Sequence, residues 1–343
     1  MRKLLNTLYV TSPDAYLSLD GECVVVLRDS EVLIRIPLLN LEAITTFGYT
    51  GASPALLGAC AERKIALNFM TGSGRFLASV TGVEHGNVTL RRTQYRVADD
   101  ELGSLEIARN VIVGKLYNSR WLLERAVRDH EARLDADHIR LVAHRIADAA
   151  KRAAESKTAG ELRGIEGEAA SSYFSVFDDL ILQNKEEFYF RGRSRRPPLD
   201  NVNALLSFMY ALLSNDISAA LSAVGLDPFV GFFHTDRPGR RSLALDLLEE
   251  LRAPLADRFV LTLVNTKQLS AGDFLLKESG AVQLRDDARK SMLTAWQNRK
   301  KEQITHPYLR EKLEWGLVPH AQALLLARFL RGDIDAYPPF MWK

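Results

Sequence analysis

The sequence predicts an α+β protein, with a small N-terminal β-sandwich-like domain followed by a larger all-α domain. Segments rich in Val, Ile, Leu and Thr, separated by turn residues, fill residues 1–86 and are typical of strands. After residue 86 these signals stop, and charged segments with helical periodicity begin. A chain of 343 residues can form two substantial cores, so we place the domains at 1–86 and 87–343.

The first domain is predicted to contain seven short strands and one helix. Turn pairs such as Asp20-Gly21 and Asp29-Ser30 separate the strands, and Ser53-Pro54 is a helix-start signal before ALLGACAERK. The predicted strands are LLNTLYV, AYLSLD, ECVVVLRD, EVLIRIPL, EAITTFG, IALNFMT and RFLASVTG. In the second domain, periodicity predicts helices over about 90–133, 137–155, 158–182, 201–224, 242–251 and 283–300.

The bulk composition limits the classes of protein to which the chain can belong. It is 47% hydrophobic and 26% charged with a net charge of +2, so nucleic acid could be bound only by local basic patches. Cys23 and Cys60 are far apart in sequence, which excludes a disulfide framework and a cysteine metal site. No apolar run reaches about 18 residues, and the N-terminal run is too short for a signal sequence. We therefore expect a cytoplasmic protein with no membrane span.

Glu166, in the segment GIEGEAASSYF, is the first candidate site residue. In a helix it shares a mostly apolar face with Tyr173 and Phe177. Glu168 lies about 200° around the helix, among polar side chains. An inward carboxylate needs a partner charge or a metal ion, so Glu166 is either a metal ligand or half of an ion pair with an arginine in a helix packing seam.

The segment HTDRPGRRSLALDLLEEL carries the second candidate cluster. It begins at His234 and continues into a helix that is apolar nearly all round, where Asp246 lies three residues before Glu249 and four before Glu250. Two buried acids are expected to pair with arginines such as Arg252 or to hold a cation. Spacing alone does not choose between Glu249 and Glu250. One imidazole with carboxylates suits Mg²⁺ or Mn²⁺, and the imidazole favours Mn²⁺.

Two arginine-rich loops in a nearly neutral chain indicate a phosphate-binding surface. Arginine forks bind phosphate oxygens in bidentate fashion, although a solvated charged loop is the simpler interpretation of either loop alone. The candidate contacts to the phosphates of a nucleic acid are Arg193, Arg195, Arg196, Arg237, Arg240 and Arg241.

Five segments follow one another in a distinctive order: GIEGEAASSYF, RRPPLDNVNALLSFMYALL, GFFHTDRPGRRSLALDLLEELRAPLADRFVL, VNTKQLSAGDF and YPPFMW. With the N-terminal PLLNLEAITTFGYTGASPALLGACAERKIALNFM, they resemble the CRISPR-associated protein one family, the integrases of CRISPR adaptation. The motifs look most like the branch found with type I interference systems, and within it subtype I-C.

The resemblance implies a β domain that dimerises and an α-helical catalytic domain. It implies metal ligands at Glu166, His234 and Glu249, with the catalytic Asp246 beside them, and so favours Glu249 over Glu250. It also implies double-stranded DNA, both protospacer and CRISPR repeat, as the substrate. The expected partner is a small ferredoxin-like protein, with two dimers flanking one partner dimer in a hetero-hexamer.

The reaction expected from the resemblance is insertion of short DNA fragments, the new spacers, into a CRISPR repeat array. A 3′-hydroxyl attacks a phosphodiester at the repeat boundary, and water in its place makes the same site an endonuclease. Two alternatives are a stand-alone metal-dependent nuclease on branched DNA and a non-catalytic DNA-end scaffold. In the scaffold, the acidic and histidine side chains form structural ion pairs only.

Overall fold

A computed structural model describes residues 7–12, 14–48, 51–72, 76–80 and 87–343. Within it the chain divides into two compact units, and the larger is mainly helical. The first unit comprises residues 1–86 with 284–302 and 314–317, and the second comprises 87–283, 303–313 and 318–343. The α+β class predicted from the sequence is confirmed.

The first unit contains two four-stranded sheets and a helix. In the first sheet, strands β1, β5 and β7 are parallel and β8 is antiparallel to β7. In the second, the order is β4-β3-β2-β6, with only β2 and β6 parallel. The bounds are β1 Thr7–Val10, β2 Tyr16–Asp20, β3 Cys23–Arg28, β4 Glu31–Pro37, β5 Ala43–Phe47, β6 Gly51–Ala52, α1 Pro54–Arg63, β7 Ala66–Met70 and β8 Phe76–Val80.

Both sheets and α1 contribute to one hydrophobic core. Leu17 from β2, Ile44 from β5 and Leu56 from α1 are fully buried in it. Helix α1 begins as predicted, because the Ser53 hydroxyl accepts a hydrogen bond from Leu56 N–H and Pro54 occupies the first turn. Of the predicted strands, residues 4–6, 75 and 81–82 lie outside the described residues.

The second unit contains nearly all the predicted helices and several elements that were not predicted. Its helices are α2 Val88–Asp99, α3 Glu101–His130, α4 Ala136–Glu155, α5 Ala159–Ser175, α6 Asn201–Val224, α7 Ser242–Leu251, α8 Arg258–Asn265 and α10 Val318–Leu330. A π-helical segment at Arg252–Asp257 joins α7 to α8, and two short ribbons are formed by β9 Phe274–Leu276 with β10 Val282–Leu284 and by β11 Gln303–Thr305 with β12 Lys312–Glu314. These ribbons are additional to the all-α domain expected from the sequence.

Helix α9, Asp286–Lys301, belongs to the first unit, although the expected second domain ran without a break from 87 to 343. Its side chain Gln297 donates a hydrogen bond to the Thr7 carbonyl at 3.1 Å, and Trp296 is buried. The apolar side of this helix therefore completes the first unit.

Helix α6 is largely buried within the second unit. It is long and apolar enough to cross a membrane by length and composition, but 67% of its apolar window is buried inside the structure. Its ends are those of an ordinary core helix, since the Asp200 carboxylate accepts from Asn203 N–H and Gly225 at φ 93° ends it.

Candidate metal centre

The four predicted metal-site residues lie together in the second unit, around α7. Glu166 comes from α5, Asp246 and Glu249 come from α7, and His234 comes from the loop that precedes α7. Glu249 and Asp246 are nearly inaccessible to solvent, whereas Glu166 and His234 each retain 22% of their side-chain exposure. The cluster is therefore closed on one side and open to solvent on the other.

Asp246 fixes the loop that carries His234. Its two carboxylate oxygens accept backbone hydrogen bonds from Phe232, Phe233 and His234, at 2.6, 3.0 and 2.9 Å. The loop passes so close that a Cβ at Gly231 would lie 2.8 Å from Asp246 Oδ2, so only glycine fits there. A buried aspartate thus orders the whole segment 231–234 against the helix.

Asp246 also sets the orientation of the His234 ring. His234 Nδ1 lies 2.7 Å from Asp246 Oδ1, and because an ionised carboxylate only accepts, Nδ1 carries the proton. The second ring nitrogen, Nε2, lies 3.9 Å from Glu249 Oε1 and is the atom left to coordinate a metal ion. This carboxylate–imidazole pairing is the usual arrangement behind a histidine metal ligand.

Glu249 is held as an anion by two cations from different directions. Burial alone raises the pKa of a carboxyl group, but Arg252, 2.8 Å from Oε1, and Lys115, 2.8 Å from Oε2, outweigh it. The resulting pKa of Glu249 is lowered to about 2. Its carboxylate is therefore charged at every physiological pH, although the side chain is only 4% exposed.

Glu166 meets Glu249 through Lys115. The Lys115 ammonium contacts Glu166 Oε1 and Glu249 Oε2 together, so the two carboxylates lie on either side of one positive charge. In the part of the chain that the structure describes, no three His, Cys, Asp or Glu side chains already stand at the spacing of a metal centre. The donor set itself, two carboxylates and an imidazole Nε2, suits Mg²⁺ or Mn²⁺, and Lys115 Nζ occupies the point where the carboxylates converge.

Glu250, the alternative to Glu249, faces the other side of α7. It accepts hydrogen bonds from Tyr337 Oη at 2.7 Å, Gln322 Nε2 at 2.9 Å and Phe340 N–H at 2.8 Å. Burial raises the pKa of Glu250 to about 8 despite these donors. The side chain anchors the C-terminal YPPF segment and takes no part in the contacts of Lys115 and His234.

The six predicted DNA contacts divide into two groups. Arg193 donates to Asn203 Oδ1 at 2.6 Å and Ser207 Oγ at 3.1 Å, and desolvation lowers its pKa. Arg240 and Arg241 likewise donate to side chains of the protein. The exposed arginines are Arg195, Arg196 and Arg237.

A family model described as CRISPR associated protein Cas1 matches residues 8–298. The chain belongs to the Cas1 family. The CRISPR-associated endonucleases Cas1 of Chlorobaculum tepidum and Rhodospirillum rubrum are 51% and 50% identical to it, and each match covers 100% of both chains.

Solved structures with 21–23% identity share the Cas1 fold seen here. A Cas1 protein from Thermotoga maritima matches with a TM-score of 0.81 over 95% of this chain and 97% of that chain, at 23% identity. A casposase bound to integration product matches with a TM-score of 0.84 over 98% of this chain and 94% of that chain, at 22% identity. A chain of a Cas6-RT-Cas1–Cas2 complex matches with a TM-score of 0.83 over 100% of this chain and 36% of that chain, at 21% identity.

Lys115 is a residue of this Cas1 site that the sequence interpretation did not include. Arg252 was considered only as a partner for the acids of α7, and it is indeed paired with Glu249. Lys115 could have been noticed in the sequence, because it lies four residues after Val111 and seven before Leu122, on the buried face of α3. A lysine on a buried helix face requires a carboxylate partner, and that requirement points to acids on neighbouring helices.

Proposed function

We propose that the protein is a metal-dependent DNA integrase and endonuclease that inserts short DNA fragments into a CRISPR repeat array. The observation that carries the proposal is the arrangement of His234, with Nδ1 held by Asp246 and Nε2 facing Glu249, next to the Glu166 carboxylate. Membership of the Cas1 family and the endonuclease names of its relatives support it.

The residues that would hold the cation are Glu166, Glu249 and His234, with Asp246 positioning the imidazole. When bound, Mg²⁺ or Mn²⁺ lowers the pKa of the attacking 3′-hydroxyl and stabilises charge on the phosphoryl oxygens. Arg252 keeps Glu249 ionised, so this carboxylate is available as a ligand without prior proton loss. Asp246 would hold the proton on His234 Nδ1 and thereby leave Nε2 as the donor atom.

The reacting nucleophile is proposed to come from the substrate, because the cysteine thiols of the chain are unsuited to attack. Burial raises the pKa of the Cys60 thiol to about 11, so it remains protonated in the core of the first unit. Cys23 lies in β3 of the same unit. A 3′-hydroxyl gives joined DNA, and water gives a cut strand.

The substrate is proposed to be double-stranded DNA, as protospacer and as CRISPR repeat. The exposed Arg195, Arg196 and Arg237 would contact phosphates, which position DNA without reading its sequence. Arg193, Arg240 and Arg241 would instead keep the two loops in shape, since their guanidinium groups already bind protein oxygens.

The protein partners are proposed to be a second copy of the chain and a small ferredoxin-like protein, in a cytoplasmic hetero-hexamer of a type I system, subtype I-C. Edge strand β4 exposes Val32, Leu33 and Ile34, an apolar strip suited to dimerisation through the first unit. A chain of the same fold occurs in the Cas6-RT-Cas1–Cas2 complex.

The test is an integration assay with the purified partner, a short DNA duplex and a plasmid that carries the cognate repeat, in Mn²⁺. Glu166→Ala and His234→Ala are expected to abolish strand transfer, by at least about 100-fold, and to leave DNA binding nearly unchanged. Glu168→Ala is the matched control, because Glu168 lies on the same helix but is exposed and paired with Arg152. Full strand transfer by His234→Ala would overturn the proposal.

The integration assay, together with Mn²⁺ calorimetry, separates the alternative functions. Lys115 in ion pairs with both acids is what a non-catalytic DNA-end scaffold would also show. A scaffold is expected to bind no Mn²⁺ at this cluster in calorimetry and to yield no products. A stand-alone nuclease is expected to nick branched DNA and the plasmid without joining the fragment.

A further inference from the structure

Lys115 occupies an unusual position for a lysine. It lies on the buried face of the 30-residue helix α3 and is 9% exposed. Its ammonium contacts a carboxylate from α5 and, at 2.8 Å, a carboxylate from α7. One positive charge therefore joins three helices that are far apart in sequence.

The two carboxylates do not depend equally on Lys115 for a neighbouring positive charge. Glu249 keeps a second cation, because Arg252 lies 2.8 Å from its other oxygen. Glu166 forms its ion pair with Lys115 and retains more solvent exposure than Glu249. Glu166 can thus be transferred from an ammonium to a divalent cation without leaving Glu249 as an uncompensated buried charge.

We propose that Lys115 Nζ and the divalent cation compete for the carboxylates of Glu166 and Glu249, so that Lys115 holds the site together before the cation binds and is displaced by it. This inference rests on the proposed function. Both ligands are positive and both need the same oxygen atoms, and one charge cannot approach the other at contact distance in a partly buried site. The flexible four-carbon stem of lysine allows the ammonium to move toward the open side of the cluster.

Competition has a functional consequence for metal use. The ammonium offsets part of the negative charge of the two carboxylates and occupies their oxygen atoms until a divalent ion is present at sufficient concentration. Lys115 would thereby set the metal concentration at which the site is filled. The site would bind metal more weakly with Lys115 present than without it.

The first test is calorimetric titration of the full chain with MnCl₂, comparing wild type with Lys115→Met. The variant keeps the stem volume and removes the charge, and it is expected to bind Mn²⁺ at least about tenfold more tightly. Lys151→Met is the matched control, since Lys151 is exposed and paired with Asp148, and its affinity should equal that of wild type. Equal or weaker binding by a folded Lys115→Met protein would overturn the inference, whereas absence of binding by both proteins would overturn the proposed function and this inference with it.

The second test uses wild-type protein, so it does not depend on the folding of a variant. Lysine acetylation by an N-hydroxysuccinimide ester is measured at each position by mass spectrometry, with and without Mg²⁺. Displacement is expected to raise labelling of Lys115 several-fold in Mg²⁺ while labelling of Lys151 stays constant. Unchanged or lower labelling of Lys115 at a Mg²⁺ concentration that saturates the site would contradict displacement.

Discussion

Asp246 is the residue on which the geometry of the candidate site depends most. It accepts three backbone hydrogen bonds from residues 232–234 and a fourth from the His234 ring. A hydrogen bond to a carboxylate contributes more to stability than one between neutral groups. One buried side chain therefore determines where His234 lies and which of its ring nitrogens is free.

Asp246→Asn is expected to lower the free energy of unfolding by about 3 kcal/mol. The asparagine amide nitrogen cannot accept, so it would oppose at least one of the N–H donors that now bind the two oxygens. Urea unfolding followed by far-ultraviolet circular dichroism measures the change. Asp236→Asn, exposed in the same loop, should shift it by less than about 0.5 kcal/mol, and an Asp246→Asn protein as stable as wild type would contradict this role.

Individual site residues were predictable from sequence to different degrees. Helical periodicity placed Glu166 inward and Glu168 outward, and the structure has Glu168 exposed in an ion pair with Arg152. The same reasoning could not separate Glu249 from Glu250, because both are buried in a helix that is apolar nearly all round. The partners that distinguish them come from segments distant in sequence, Lys115 of α3 for Glu249 and the C-terminal segment for Glu250.

The C-terminal segment and α10 contact the side of α7 that carries Glu250. The side-chain amide nitrogen of Gln322, in α10, donates to Glu250 Oε2. The amide oxygen of the same side chain, Oε1, lies 3.0 Å from His306 Nε2. His306 Nδ1 accepts from Leu309 N–H at 3.2 Å, so the imidazole is neutral with its proton on Nε2. A continuous chain of buried hydrogen bonds thus joins α7 to the hairpin that contains His306.

The stability of the protein is expected to fall on acidification because of His306. Burial lowers the pKa of His306 below its ordinary value of 6.5, although Gln322 and Glu311 partly oppose the shift. The unfolded chain therefore takes up a proton first. The stabilisation is complete above 6.5 and is lost as the pH falls below that value toward the folded-state pKa.

The substitution His306→Gln removes this proton uptake, so comparing the variant with wild type measures the contribution of His306. The difference in urea-unfolding free energy between wild type and variant should be largest near about pH 7.5 and shrink near about pH 5.5. His320, whose pKa burial also lowers, is present in both proteins and cancels in the difference. A difference that stays constant or grows on acidification would show that His306 is not held neutral.

Secondary structure was most predictable where the local signals were strongest. The short strands of the first unit have β-branched residues and turn punctuation, and α1 has its Ser-Pro start. Helix α10 has only a narrow polar stripe and α8 has only eight residues, so neither contains the long periodic segment on which assignment from sequence depends. The break between α2 and α3 was missed because Asp100 caps α3 through Gly103 N–H, a local contact inside an otherwise continuous helical pattern.

The distribution of charge over the chain matters more for function than its sum. The formal net charge is only +2, yet the loops before α6 and before α7 each contain several arginines. The sequence could show this segregation but could not separate exposed arginines from those that bind the protein itself. Arg193 is in the second class, since Tyr210 lies under its guanidinium and Asn203 accepts from it.

The combined variant Arg195→Ala, Arg196→Ala and Arg237→Ala tests whether the exposed group binds DNA phosphates. It should weaken binding of duplexes of unrelated sequence to a similar extent, and reduce the slope of log K against log salt by about 1 for each phosphate that the protein no longer neutralises. The measurement is fluorescence anisotropy with a labelled duplex over a series of NaCl concentrations. A control variant with Ala at Arg128, Arg140 and Arg331, which are exposed and paired with carboxylates, changes the net charge equally. Because only local contacts release counterions from DNA, the control should retain the wild-type slope, and equal slopes for both triple variants would place the DNA elsewhere on the surface.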